Sequence, residues 1–145
     1  IPALSAGAAL LGAPLMHDFC AISLSDLLTP WDLIEKRLHA AGAADFVIVL
    51  YNPRSKKRHW QLDSAREILL RHRRGRTPVG LVKSAMRADQ SIVLTTLEDL
   101  DRAQANMQTT VFVGNSQTFV SGGHMITPRG YDQKYPLQFD SAQQK

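Results

Sequence analysis

Two clusters of basic side chains are the groups in this sequence most suited to binding an anionic ligand. The first follows an apolar segment, FVIVLY, and consists of Arg54, Lys56, Lys57 and Arg58. The second ends a predicted helix and consists of Arg71, Arg73, Arg74 and Arg76. Cations are favoured at helix C-termini and are usually solvated there. We therefore expect the second cluster to be a solvated helix end and the first to contact a ligand.

A polar run follows another apolar segment, TTVFV, and consists of Asn115, Ser116, Gln117 and Thr118. Asn and Ser are favoured in turns, so a plain turn is one interpretation. The other is a hydrogen-bonding rim for a ligand. The position directly after a buried strand slightly favours the ligand rim.

Other reactive groups do not form a recognisable catalytic pattern. The five histidines and Cys20 lack the spacing of a metal site, so we predict no bound metal. Cys20 lies within an apolar run, which favours a buried, unreactive thiol. Neither a Gly-x-Gly-x-x-Gly nor a Walker-type phosphate loop occurs, and no serine lies in a Gly-x-Ser-x-Gly elbow. No residue is assigned a catalytic role.

Alternating strands and helices must position these groups. Five apolar segments predict strands: FCAISL (19–24), FVIVLY (46–51), TPVGLV (77–82), SIVLTT (91–96) and TTVFV (109–113). Helices are predicted over 3–11, 31–42, 60–72 and 97–105, and a hairpin around Gly122 and Gly123. This order predicts an α/β domain with a largely parallel sheet. Its ligands would lie at the carboxyl ends of strands, in the loops after FCAISL, FVIVLY, TPVGLV and TTVFV.

The helix over 31–42 has clear predicted ends. Thr29 is expected to cap it, and Pro30 suits the first helical position. Gly42 is expected to end it.

The composition limits the classes of protein to which this chain can belong. At 145 residues, 44% hydrophobic and 21% charged, the chain is typical of one globular domain. A lone cysteine excludes an intramolecular disulfide and favours a reducing compartment, and no apolar run is long enough to span a bilayer. We expect a cytoplasmic protein. The net charge of +4 permits a nucleic acid or a polycarboxylate as partner. The chain begins with Ile1, so a fragment is expected.

A set of motifs runs through most of the chain in order: IPALSA, LLGAPL, HDFCAISLSDLLTPW, DFVIVLYNPRSKKR, TPVGLVKSA, TTVFVGNSQT and ITPRGY. Together they resemble the C-terminal half of the tetrapyrrole methylase family. YNPRSKKR and VGNSQT are most similar to the precorrin-3B branch, which methylates ring carbon seventeen during corrin ring contraction in cobalamin biosynthesis.

The resemblance implies that residues 1–145 form the C-terminal domain of a two-domain methyltransferase. Its α/β fold would have a mixed sheet of about five strands flanked by helices. S-adenosylmethionine would bind between the two domains and leave as S-adenosylhomocysteine. The partners implied are a tetrapyrrole substrate, the family's N-terminal domain and a second copy in a homodimer. The family's Gly-rich N-terminal loops are absent from this sequence, so the chain alone is predicted to be inactive.

The resemblance also implies site residues. The predicted cofactor contacts are Ser5, Ala6, Tyr51, Asn52, Gly80, Leu81, Thr109, Thr110 and Val111. Small residues such as Gly80 would let backbone groups approach adenine. The predicted substrate contacts are Arg54, Lys56, Lys57, Arg58, Asn115 and Ser116, because a precorrin carries many carboxylates. Methyl transfer from a sulfonium depends mainly on alignment, so the lack of an acid–base pair is expected.

Two other functions stay open. The net charge and the RHRRGR run permit a basic α/β module that binds nucleic acid, although aromatic residues do not interleave with the basic ones. A methylase of the same fold could also act on another substrate. The sequence leaves open the general base, ring contraction and the oligomeric state.

Overall fold

A computed structural model describes residues 3–55, 57 and 59–130, and this part of the chain forms three α-helices and eight strands. The helices are α1 (Ala3–Leu11), α2 (Trp31–Ala43) and α3 (Gln61–Leu70). The strands are β1 (Gly12–Ala13), β2 (Phe19–Ser23), β3 (Val47–Tyr51), β4 (Pro78–Lys83), β5 (Ser91–Thr96), β6 (Thr109–Val113), β7 (Phe119–Ser121) and β8 (His124–Ile126). All five apolar segments predicted as strands are confirmed.

The main sheet has five strands in the order β2-β3-β6-β4-β5. Only β2 and β3 pair in parallel, whereas the three other pairs are antiparallel. The α/β fold with a mixed five-stranded sheet is confirmed, and the prediction of a largely parallel sheet is wrong. The segment between β4 and β5 is too short for a crossover helix, so β5 returns antiparallel. Strand β6 then enters between β3 and β4 in the opposite direction.

Two hydrophobic clusters lie on the two faces of this sheet. On one face, Ile48 and Leu50 of β3 pack in the cluster that also contains apolar residues of α2 and α3. On the other face, Val49 packs with Leu11 of α1 and with Phe112. Side chains alternate across a strand, so β3, with both faces covered, is apolar along its whole length.

A second, three-stranded sheet has the order β1-β8-β7. Strands β7 and β8 form the hairpin predicted from the Gly-Gly pair. Gly122 and Gly123 both have positive φ, at 57° and 76°, a conformation that glycine adopts without steric cost.

The ends of α2 differ from the prediction. Pro30 is the N-cap residue in an extended conformation (φ −60°, ψ 142°), and no side chain caps the helix, so the cap assigned to Thr29 is wrong. Gly42 lies inside the helix rather than ending it. A β-carbon at Gly42 would lie 3.0 Å from the His72 ring, so this glycine permits close packing between α2 and the segment after α3. The chain turns instead at Asp45, which has a φ of 63°.

The helix predicted over 97–105 is also wrong, because the segment contains a single 3₁₀ turn, Arg102–Gln104. Asp101 accepts a hydrogen bond from the Ala103 backbone, and Gln104 accepts one from the Asp101 backbone. These local side-chain bonds compete with helix formation.

Candidate functional site

The directions of the strands define two ends of the main sheet. Strands β2, β3 and β4 run the same way, because β3 and β4 are both antiparallel to β6 and β2 is parallel to β3. Their C-termini therefore share one end, which we call the carboxyl edge. The other end, where these strands begin, is called the amino edge. Strand β6 begins at the carboxyl edge and finishes at the amino edge.

Tyr51 and Asn52 lie at the carboxyl edge. The Asn52 amide donates to the Ser23 hydroxyl at 3.0 Å, which joins the ends of the two parallel strands. Asn52 has a φ of 53°, a left-handed conformation that Asn tolerates better than most residues, and its side chain is exposed.

The first turn of α1 reaches this same edge. Tyr51 is half-buried and packs, like Leu4 of α1, against the hydrophobic cluster of Leu11, Val49 and Phe112. Burial raises the pKa of the Tyr51 phenol, and the backbone of Leu4 opposes this effect. Ser5 is exposed and Ala6 is buried immediately after Leu4. The structure thus brings together four of the predicted cofactor contacts, at positions 5, 6, 51 and 52.

The other five predicted cofactor contacts are buried within the sheet: Gly80, Leu81, Thr109, Thr110 and Val111. Leu81 and Val111 pack on the face under α2 and α3. A β-carbon at Gly80 would lie 2.7 Å from a Leu11 methyl group. The space that the missing side chain leaves is therefore filled by Leu11 of this chain, and the five cofactor contacts stay predictions.

The first basic cluster begins at the carboxyl edge, in the loop after β3. Arg54 is half-buried, and its Nη1 lies 3.5 Å from the Arg102 carbonyl oxygen. Lys57 is exposed, whereas Lys56 and Arg58 lie outside the described residues. Arg102 forms an exposed ion pair with Asp63 at 3.5 Å. The predicted substrate contacts Arg54 and Lys57 are thus near the start of α3.

Asn115 and Ser116 lie at the amino edge, because β6 runs antiparallel to β3. The expectation that the loop after TTVFV shares the ligand edge is therefore wrong. Asn115 is 6% exposed, and its Oδ1 accepts hydrogen bonds from the backbones of Gln117 and Thr118. The Ser116 hydroxyl donates to Asp45 at 2.6 Å. Both side chains stabilise a turn, and their predicted substrate role is untested.

The second basic cluster is also only partly as expected. Arg73 is half-buried, and its guanidinium donates to the carbonyl oxygens of Gly114 (2.6 Å), Ala41 (3.2 Å) and Phe46. Arg71, Arg74 and Arg76 are exposed. The prediction of a solvated helix end is wrong for Arg73, which binds backbone carbonyls inside the domain.

Cys20 is half-buried in β2. Burial raises the pKa of its thiol, and the charge of Arg73 opposes this effect. The protonated, unreactive form is therefore favoured. Among the described residues, no group of three or more His, Cys, Asp or Glu could hold a metal ion.

The sequence patterns did not single out any residue in the loop after β4. Ser84 and Met86 have φ values of 52° and 65° without being glycine. The buried Ser84 hydroxyl donates to Gln108 Oε1 at 2.7 Å and lies 3.1 Å from Asp89 Oδ2. These bonds hold the loop at the carboxyl edge in a left-handed conformation that periodicity cannot reveal.

Comparison with protein families gives a match to the model described as "Tetrapyrrole (Corrin/Porphyrin) Methylases" over residues 1–101. This match spans α1 to the segment after β5. The chain belongs to the tetrapyrrole methylase family.

Individual relatives of this methylase chain are also similar over most of its length. It is 59% identical over 126 residues to the probable cobalt-factor III C(17)-methyltransferase of Salmonella typhimurium, covering 87% of this chain and 52% of that protein. It is 56% identical over 137 residues to the cobalt-factor III methyltransferase of Priestia megaterium, covering 94% of this chain and 25% of that protein. The methylase chain therefore spans about half or less of the length of these relatives.

A solved structure is similar to the methylase chain in fold and in sequence. The methyltransferase CobJ matches it with a TM-score of 0.84 and 41% sequence identity, over 88% of this chain and 54% of that one. Among the described residues, no helix combines the length and apolar character needed to cross a bilayer.

Proposed function

We propose that this chain is the C-terminal domain of an S-adenosylmethionine-dependent methyltransferase of cobalamin biosynthesis. It would methylate ring carbon seventeen of a precorrin-3B-type tetrapyrrole, in the metal-free or the cobalt-bearing form. The observation that supports this most is that Leu4 and Tyr51 pack against the same hydrophobic cluster, because this joins Ser5, Ala6, Tyr51 and Asn52 into one group at the carboxyl edge. The names of the similar proteins support the reaction.

The chemistry of this group suits the proposed cofactor. The side chains of Ser5 and Asn52 are exposed. Hydroxyl and amide groups of this kind can bond the ribose hydroxyls or the amino acid end of S-adenosylmethionine. Bound there, the cofactor would supply an electrophilic methyl group. Tyr51 and Asn52 would hold it, and Pro53, which is buried directly after them, would limit movement of their loop.

The reaction requires alignment more than proton transfer. Ser5, Tyr51 and Asn52 would hold the cofactor so that its methyl group can pass to ring carbon seventeen, with S-adenosylhomocysteine as the other product. Rate enhancement from holding two reactants in line can be large without an acid–base pair. This is consistent with a carboxyl edge whose residues mainly position ligands.

Several partners belong to the same proposal. Since the chain spans about half of its Salmonella relative, an N-terminal domain of the family would supply the rest of the cofactor site. A homodimer and a cytoplasmic location are further parts of the proposal. Ring contraction with methylation is another, suggested by the resemblance to the precorrin-3B branch.

A chimera tests the proposed function. The N-terminal domain of the Salmonella relative would be joined to this chain, and transfer of a radiolabelled methyl group to a precorrin-3B or cobalt-factor III substrate would be measured. We expect transfer by the chimera and none by the 145-residue chain alone. An Asn52→Ala chimera should bind S-adenosylhomocysteine about tenfold more weakly, since one hydrogen bond to a polar ligand is lost.

Ser121→Ala is a control at an exposed polar side chain of β7, in the small sheet and outside the carboxyl-edge group. Turnover by the isolated chain would contradict the need for a second domain. A folded chimera that binds S-adenosylhomocysteine but methylates neither substrate would refute the proposed reaction.

A further inference from the structure

A group of large apolar side chains is exposed at the carboxyl edge, beside the N-termini of α2 and α3. Leu28 is 100% exposed, Leu27 is 70% exposed and Trp60 is 40% exposed. They lie in the loops that follow β2 and β3. Apolar side chains gathered on a surface and surrounded by polar groups mark sites where another molecule binds.

Two side-chain contacts join the two loops into one structural unit. The rings of Trp31 and Trp60 pack edge to face, with centroids 4.8 Å apart and an angle of 74° between planes. The buried Gln61 donates from Nε2 to Asp26 Oδ1 at 3.2 Å. We call the group formed by Leu27, Leu28, Trp31 and Trp60 the apolar corner. Its aromatic rings are held in place before any ligand arrives, which lowers the entropy cost of binding.

Cationic side chains lie on the α3 side of the apolar corner, whereas the carboxylates of Glu35 and Asp26 accept hydrogen bonds from the Trp31 indole and from Gln61. Arg54 and Lys57 lie in the same loop as Trp60, and Arg54 contacts the backbone of Arg102. The nearby carboxylate of Asp63 is paired with Arg102. Both helices begin at this corner, and the N-terminus of a helix carries partial positive charge. An apolar surface with cations along one side is complementary to an apolar ring that carries carboxylates at its periphery.

We infer that the apolar corner binds the face of the tetrapyrrole ring and that Arg54, Lys57 and Arg102 bind its peripheral carboxylates. This inference rests on the proposed function and names the residues that select its substrate. The loop that carries Trp60 begins at Asn52, so the corner adjoins the proposed cofactor contacts. The cofactor group lies on the α1 side of the edge, and the corner lies on the α2 and α3 side. A methyl donor and a ring carbon could therefore meet across the edge.

Uroporphyrin III, an octacarboxylate tetrapyrrole, is a suitable probe. Its fluorescence anisotropy would be followed as the 145-residue chain is added, so the signal comes from the ligand and not from the tryptophans. Leu28→Ser and Trp60→Ala should each weaken binding about tenfold, because each removes apolar surface that the ring would cover. The fully exposed Leu28 contributes little to folding, so its variant should keep the wild-type melting temperature.

Two matched controls lie on the β7 strand of the small sheet. Phe119 is 44% exposed and Val120 is 46% exposed, and neither belongs to the corner. Phe119→Ala and Val120→Ser should bind uroporphyrin III as the wild type does. Equal affinity in the Leu28 and Trp60 variants would overturn the inference, as would no binding by the wild-type chain.

Sedimentation velocity tests whether a second copy of this chain, and not a tetrapyrrole, covers the apolar corner. If Leu28→Ser abolishes self-association and leaves uroporphyrin affinity unchanged, the corner is an interface between copies and the inference is wrong. The chimera separates the two proposals. Methyl transfer with an unchanged KM in Leu28→Ser would refute the ring site alone. The opposite result is that Leu28→Ser weakens uroporphyrin binding but the chimera, even without that change, transfers no methyl group. That result would refute the reaction alone.

Discussion

Replacing Arg73 with Met should destabilise the domain, although Arg73 belongs to a cluster that resembles a solvated helix end. Its guanidinium connects three backbone carbonyls from different parts of the chain: Gly114 after β6, Ala41 in α2 and Phe46 before β3. Met fills a similar volume but donates no hydrogen bond. The change therefore removes the donors and leaves the packing of the aliphatic stem largely intact.

The magnitude follows from which carbonyls lose their donor. Ala41 still accepts from the Phe46 backbone at 3.3 Å. The oxygens of Phe46 and Gly114 both lose the guanidinium as a donor. Two carbonyls that each lose a charged donor, at about 1–3 kcal/mol each, predict a loss of about 3 kcal/mol in the free energy of unfolding. Burial lowers the pKa of Arg73, so removing a desolvated charge offsets part of a larger loss.

Urea denaturation followed by tryptophan fluorescence measures this loss, because Trp31 and Trp60 pack against each other in the folded state. A loss of about 3 kcal/mol corresponds to a melting temperature about 10 °C lower. Arg73→Lys should recover part of the stability, since an ammonium can reach some of the carbonyls but cannot bridge all three.

Arg74→Met is the matched control, because Arg74 is the exposed neighbour in the same cluster. It should change the free energy of unfolding by less than about 0.5 kcal/mol. If Arg73→Met and Arg74→Met have equal stability, the carbonyl bonds do not stabilise the domain and the reasoning is refuted.

Three further outcomes are expected from changes elsewhere in the domain. Gly80→Ala should cost about 1–3 kcal/mol in urea denaturation, since its β-carbon would meet Leu11, and it should cost less when introduced into a Leu11→Ala variant; additive effects of the two changes would contradict this contact. Asn115→Ala should lower stability by about 2 kcal/mol through the loss of its turn bonds, measured against Gln117→Ala, which removes an exposed amide from the same turn. Burial raises the pKa of Cys20, so its reaction with a disulfide reagent at pH 8 should be at least about tenfold slower than in the urea-unfolded chain, and equal rates would show an accessible thiol.

The strands and the hairpin could be predicted from the sequence because their signals are local. Five apolar, largely branched or aromatic runs are confirmed as strands, and the Gly122–Gly123 pair is confirmed as the turn of a hairpin. Pattern and turn chemistry depend on residues close together in the chain. The order of motifs was sufficient for the family, since it does not require knowing how the strands pair.

Parts of the candidate site depended on pairings between distant residues. The antiparallel entry of β6 moved Asn115 and Ser116 to the amino edge, and strand periodicity is the same for either direction. Gly80 has the residue type expected for close approach, but Leu11 is the group that approaches it. The left-handed backbone at Ser84 and Met86 likewise depends on bonds formed across the fold.

The sequence by itself determined the strands, the places of the two basic clusters along the chain and the family to which the chain belongs. Only the tertiary structure decided which loops share the carboxyl edge, which arginine turns inward and which leucines stay exposed. The physical reason is that hydrophobic periodicity records whether a side chain is buried, whereas strand direction and carbonyl bonding are set by partners far away in the chain. Arg73 and Arg74 are adjacent and chemically identical, and only their neighbours in space make them differ.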